Sequence, residues 1–282
     1  MIKKFKELMK EAHEIITEKE ANKEDAKRGI LRAGSSGAIV NGDVYATQCG
    51  RLAQARLLGH QSSPTQEMRV MFVGGFALED FIEERLKTLN LTYKKEEQCE
   101  ETIAKGVTIS GRPDFDVLLN EEWVGIEVKS LASPFSVIKQ RKNKFPFMKH
   151  LLQAATYMTM LQRNKWLIVI GHTYNVNQNG VKHNSEIVWY EVTWDGKIFG
   201  VSNEQDLKTF LPFTKDHIIA YYKEVQLATK EQRLMSRPKE QELNVDTYNR
   251  CKYCPMESAC NQYENGQIDF EQWLEKVSEP KE

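Results

Sequence analysis

Gly111-Arg112-Pro113-Asp114 and Glu127-Val128-Lys129 are the two short stretches on which the reading of this chain turns. Asp114 opens an extended run over residues 115–120, and residues 123–130 form a second run after a turn at Asn120-Glu121-Glu122. Side chains alternate faces along a strand, so Glu127 and Lys129 share one face while Ile126 and Val128 take the other, apolar one. A hairpin between the runs would set Asp114 beside Glu127. Two carboxylates and an ammonium so arranged suit phosphodiester hydrolysis. Carboxylate oxygens hold a hard divalent cation, and the ammonium orients the attacking water or steadies the developing negative charge. Read singly, Asp114 is a turn cap and Glu-Val-Lys an ordinary strand, and Asp116 is an alternative carboxylate.

Outward from this centre, residues 64–89 read as a long helix with Gly75, Glu79 and Glu83 along its middle, and residues 45–58 as a shorter helix containing Cys49. Residues 91–97 and 102–110 read as further strands. A basic helix spans residues 144–162 and carries Gln153 and Tyr157 on one face, with His150 as a helix-face or phosphate-contact residue. Residues 166–171 and 187–193 are strands, and residues 217–229 a last helix. The pattern is α/β: a central mixed sheet flanked by helices. Three regions follow: a helical N-terminal extension with a flexible turn at Gly34-Ser35-Ser36-Gly37 (residues 1–44), a core (residues 45–262) and an acidic C-terminal tail (residues 263–282).

The 282 residues are ample for a large core, and 40% hydrophobic with 28% charged residues is ordinary for a folded soluble chain. No apolar run reaches membrane-span length, and no secretory signal follows the basic start, so a cytoplasmic place in a microbe or virus-infected cell and no membrane partner are expected. A net charge of −1 excludes a uniformly basic coat but leaves room for a local basic groove. Five cysteines without an export signal favour metal over disulfide. Cys251, Cys254 and Cys260 cluster near the C-terminus, and Cys49 stands far upstream. Four thiolates suit Zn²⁺ or an iron–sulfur cluster, and either would clip the two ends of the chain together. Cys99 lies outside the pattern as a free thiol.

The order Gly-Arg-Pro-Asp, Glu-Val-Lys and Gln153-Ala154-Ala155-Thr156-Tyr157 resembles the PD-(D/E)XK nuclease superfamily, in its RecB-like branch. The cysteine pattern is similar to that of CRISPR-associated RecB-type exonucleases and AddB-like nuclease domains. The resemblance covers roughly residues 45–262. It implies a restriction-endonuclease-like core and metal-dependent cleavage of DNA from single-stranded ends. It also implies a [4Fe–4S] cluster, mainly structural, on Cys49, Cys251, Cys254 and Cys260, in preference to Zn²⁺. Asp114 and Glu127 would hold Mg²⁺ or Mn²⁺, Lys129 would orient water, and Gln153 and Tyr157 would line the site. Where the branch often has Gly-x-x-x-His, this chain has Gly75-Phe76-Ala77-Leu78-Glu79, which makes Glu79 the third carboxylate. CRISPR, recombination and viral replication proteins are the partners implied. Lys139, Arg141, Lys142, Lys144 and Lys149, interleaved with Phe135, Phe145 and Phe147, suit a single strand, with Arg51 and Arg56 as added phosphate contacts. The rival readings are a non-catalytic nucleic-acid-binding or adaptor protein on the same fold and a zinc-stabilised endonuclease.

Overall fold

The run Trp166-Leu167-Ile168-Val169-Ile170 is apolar on both faces, which suits only a strand covered on both sides, and the molecule is built around it. The computed structural model describes residues 30–47, 49–59, 66–131, 145–171, 176–178, 181–183, 187–237 and 256–278. In chain order these form β1 (Leu31–Arg32), a 3-10 turn (Ala33–Ser35), β2 (Gly37–Val40), β3 (Asp43–Ala46), α1 (Gly50–Leu57) and α2 (Gln66–Thr88). Then come β4 (Tyr93–Lys95), β5 (Cys99–Ala104), β6 (Val107–Gly111), β7 (Phe115–Leu119), β8 (Glu122–Ser130), α3 (Met148–Met160) and β9 (Lys165–Gly171). The chain continues through β10 (Val176–Gln178), β11 (Val181–His183), β12 (Ile187–Trp194), β13 (Phe199–Asn203) and β14 (Lys208–Phe210). Helices α4 (Lys215–Lys230), α5 (Glu257–Glu264) and α6 (Phe270–Ser278) complete it.

The main sheet has seven strands in the order β14-β13-β12-β9-β8-β7-β4, with β9 central. Strands β7 and β8 form the expected antiparallel hairpin, Phe115 opposite Ile126. Strand β8 runs parallel to β9 with Glu127 opposite Ile168, so the chain must cross over between them, and α3 lies on that connection. On one face Leu78, Ile82 and Leu86 of α2 pack against Phe115, Val117, Ile126, Val128 and Val169. On the other, Leu151, Leu152, Ala155 and Met158 of α3 join Trp166, Ile168 and Ile170, with Tyr221 and Tyr222 of α4 behind them. Each such side chain contributes roughly 1.5–3 kcal/mol by leaving water. A Cβ on Gly125 would lie 2.2 Å from the Trp166 ring, so this position in β8 must be glycine for the ring to lie on the strand.

Several expectations are corrected. Residues 31–44, placed in a helical extension with a flexible turn, are short strands and a 3-10 turn of the core: β1 pairs with β6 and Ala33 and Ala38 are fully buried. Residues 1–29 lie outside the described residues. Helix α1 starts at Gly50 rather than residue 45, because Tyr45 and Ala46 are engaged in the β2–β3 ladder. The strand expected over 102–110 is a hairpin, β5 and β6, turning at Gly106 with φ +73°. The basic helix of residues 144–162 begins only at Met148, past Pro146, and most of its surface is buried. The acidic tail is not a tail. Residues 270–278 form α6, whose Trp273 has no exposed surface and packs with Ala55, Ala259 and Phe270. Strands β13 and β14 had no place in the sequence reading.

Candidate active site

Strand β8 carries Glu127 and Lys129 on the face covered by α3, while Ile126 and Val128 point to α2, the dry-side, wet-side division the alternation required. Glu127 is only 1% exposed. Its Oε1 forms a tight ion pair with Lys129 Nζ, and its Oε2 is buried with no hydrogen-bond partner. Asp114, just before β7, reaches across the hairpin: the Val128 N–H donates to its Oδ2 at 2.6 Å. Burial and the nearby Glu127 charge push Asp114 up to about 7. Burial opposes the charge on Lys129, but Glu127 and Asp114 outweigh it and hold the ammonium above its usual range.

Glu79, in the middle of α2, faces the same centre. Burial, then the charges of Asp114 and Glu96, push it up to about 7, while Lys95 and Lys129 oppose the rise. From α3, the Tyr157 hydroxyl accepts the Arg112 N–H at 3.3 Å, and its ring stacks on Trp166 with centroids 5.3 Å apart. Gly111 makes this approach possible, because a Cβ there would sit 2.6 Å from the Tyr157 ring. Gln153 is half-buried one turn earlier on α3. Asp116, the alternative carboxylate, is committed elsewhere: Arg163 pairs with it at 2.7 Å.

His150, read from sequence as a helix-face or phosphate-contact residue, is buried at 5% exposure with an unpartnered Nε2. Burial, then Lys129 and Lys149, keep it neutral by lowering its pKa. Its spacing from Gln153 and Tyr157 on α3 was the overlooked signal, since residues three and seven apart share a helix face.

Asp114 and Glu127 thus lie beside one ammonium, and Glu79 is near enough for its charge to act on Lys129. Asp114 and Glu79 hold protons more tightly than free carboxyls do, and Glu127 has an oxygen facing no donor. A hard divalent cation is the missing charge that would relieve all three, so the donor set fits Mg²⁺ or Mn²⁺. It is not a ready-made cage. Among the described residues no three His, Cys, Asp or Glu side chains stand together as a metal-binding group; Lys129 takes one Glu127 oxygen and the Val128 amide one of Asp114.

A family profile described as the PD-(D/E)XK nuclease superfamily matches residues 7–261. The chain belongs to the PD-(D/E)XK nuclease superfamily. Pro113-Asp114 and Glu127-Val128-Lys129 lie within the matched residues. Among solved structures, SSO0001 is 19% identical, with 64% of this chain and 65% of that one covered and a TM-score of 0.36. The chain therefore spans just under two thirds of SSO0001. The alkaline exonuclease LHK-Exo from Laribacter hongkongensis is 13% identical, with 73% of this chain and 93% of that one covered and a TM-score of 0.39. The same exonuclease in complex with dAMP is 14% identical, with 73% and 92% covered and a TM-score of 0.40. No curated protein matches. Among the described residues no helix is long and apolar enough to cross a membrane.

The residues expected to touch nucleic acid divide sharply. Lys139, Arg141, Lys142 and Lys144, with Phe135, lie outside the described residues. Lys149 is exposed beside the Phe147 ring, at 5.8 Å, but Phe147 itself is buried and offers no free face to a base. Arg51 is a correction. It is 5% exposed and bound to Glu264 and the Met235 carbonyl, so no phosphate reaches it. Of the four clasp cysteines, Cys251 and Cys254 lie outside the described residues. Cys49 occupies the N-cap position of α1 and Cys260 is buried in α5. Leu52 and Ala55 of α1 pack with Ala259 and Cys260, so the two distant parts of the chain do meet. Cys99 donates to the Gly111 carbonyl at 3.2 Å, and burial pushes its thiol up to about 11, which keeps it inert.

Proposed function

We propose that this PD-(D/E)XK protein is a metal-dependent deoxyribonuclease acting from the ends of single-stranded DNA, with Cys49, Cys251, Cys254 and Cys260 holding a [4Fe–4S] cluster that closes the fold. The observation that carries the nuclease reading is Glu127: almost fully buried, one oxygen on Lys129, the other facing nothing. A buried carboxylate oxygen without a donor is costly inside a protein, and a site that keeps one beside a second carboxyl is poised for a cation. Asp114 and Glu127 would hold Mg²⁺ or Mn²⁺, with Glu79 as the third carboxylate. The cation supplies charge neutralisation at the phosphate and a more acidic water.

The protein's own groups do the rest. With the cation held by Asp114 and Glu127, the Lys129 ammonium beside them would orient the attacking water and steady charge on the scissile phosphate. The Val128 amide fixes the Asp114 carboxyl in place through its Oδ2. Tyr157, held neutral by burial and by Glu127, and Gln153 form the α3 wall. Lys149 supports a strand bound alongside, together with the basic run of residues 139–144.

Digestion of end-labelled linear and circular single-stranded DNA with Mn²⁺ tests the reading. Wild-type protein is expected to degrade the linear strand and spare the circle, with Lys129→Ala and Glu127→Ala inactive. Equal activity in all three would remove these residues from the chemistry. Cleavage of the circle would replace the exonuclease reading with an endonuclease one.

A further inference from the structure

Arg112 lies two residues before Asp114, at the edge of the candidate active site. Its backbone N–H donates to the Tyr157 hydroxyl at 3.3 Å, and Pro113, next along, is buried, so the main chain here is fixed against the α3 wall. The side chain is nonetheless 59% exposed, and its Nη2 meets Glu96 Oε1 at 3.2 Å. Glu96 is tied to the same centre from another direction, because its backbone N–H donates to the Asp114 carbonyl at 3.1 Å. The Glu96 charge also acts on Asp114 and Glu79. Glu96 holds a left-handed backbone, with φ +48°, a conformation that costs energy for a residue with a Cβ. An ion pair between side chains this exposed contributes little to stability, so stability gives scant reason for the arrangement.

Two other cations near this centre are already engaged, Lys129 with Glu127 and Lys95 with Glu83 at 2.6 Å and Asp80 at 3.3 Å. Yet a centre built from Asp114, Glu127 and Glu79 must admit a polyanion. A cation held by those carboxylates serves the phosphate under attack, and the neighbouring phosphates of the strand need a positive partner of their own. A guanidinium presents parallel N–H groups that match two phosphate oxygens. One that is exposed and loosely paired exchanges a carboxylate for a phosphate at small cost. We propose that Arg112 grips a backbone phosphodiester beside the one being cut, and that Glu96 holds the guanidinium in position until a strand arrives. The inference rests on the nuclease reading above and adds two residues that reading left without a role. Arg112 is a positioning residue here: it places the strand and takes no part in breaking the bond.

The test measures binding of a labelled single-stranded oligonucleotide in EDTA across a salt series, together with KM and kcat in Mn²⁺, on the full chain. Arg112→Ala is expected to weaken binding and raise KM about five- to ten-fold, with kcat within about two-fold of wild type. Its salt slope should fall by about 0.7, the share of one phosphate on a single strand. Arg112→Lys keeps the charge and loses the fork, so it should recover the slope and only part of the affinity. Glu96→Gln frees the guanidinium and should tighten binding. Combined with Arg112→Ala it should bind like Arg112→Ala alone, because Glu96 acts through Arg112. Tightening that persists in the double variant would reduce Glu96 to general repulsion of the strand and overturn its part. Wild-type affinity and slope in Arg112→Ala overturn the inference, while cleavage by wild type leaves the nuclease reading standing. A loss confined to strands ending in a phosphate monoester also overturns it, since the contact is then to the end. Wild type that neither binds nor cuts the strand sinks both. Should Arg112→Ala melt early, Arg112→Gln decides.

Discussion

At the scale of single residues, the active centre trades stability for readiness. Asp114 and Glu79 are both pushed up to about 7, well above the range of free carboxyls. A carboxyl whose folded pKa is raised weakens the fold as pH climbs from its unfolded value, near 4, towards 7, because only the unfolded chain ionises freely. Asp114→Asn keeps an acceptor for the Val128 amide and removes the charge. In EDTA at pH 8 it should melt higher than wild type, worth about 1–3 kcal/mol, with the gain vanishing by pH 4–5. Thermal denaturation across that range checks it, and a gain that grows in acid would refute the assignment. The same two groups make cation binding proton-linked. Mg²⁺ or Mn²⁺ must displace their protons, so affinity should tighten from pH 6 to 8 with net proton release. Calorimetry in buffers of different ionisation enthalpy measures this. Lys129→Ala should lower cleavage by roughly 10²-fold or more while the fold persists. Asp114, Glu127 and Lys129 were legible in sequence because their chemistry and spacing are local. His150 and Arg51 were not: whether a polar residue is buried depends on packing partners far along the chain.

At the scale of elements, the sequence showed the β7–β8 hairpin, α2 and β9 because each carries one clear periodicity. It missed β13 and β14, where Gly200 and Ser202 dilute the alternation and the deciding feature is pairing with β12. It also merged β5 with β6, since Gly106 alone marks the turn. The most demanding element is β8, which must present Glu127 on one side and pass beneath Trp166 at Gly125. Gly125→Ala should cost about 1–3 kcal/mol through overpacking and reduce cleavage as well, because the strand bearing Glu127 and Lys129 shifts with it. Denaturant titration paired with a cleavage assay tests the coupling. A stable variant that also keeps full activity would show that the ring can move aside freely.

At the scale of the whole molecule, the outlines of an α/β core were readable, but its ends were not. Composition marked residues 263–282 as a charged tail, and the one tryptophan that anchors α6 was outweighed by its acidic neighbours. Trp273→Ala should therefore destabilise the entire protein by about 3–5 kcal/mol, measured as a lower melting temperature, whereas an unattached tail would give no change. Among the described residues no further strand pairs with the sheet at either margin. Its outermost strands, β4 and β14, carry Lys94 and Lys95 on one side and Lys208 on the other. An ammonium on a bare margin must lose its water before a foreign backbone can zip alongside. The protein is accordingly expected to concentrate without growing into ribbons, a property that would belong to a few lysines on the sheet's outer strands.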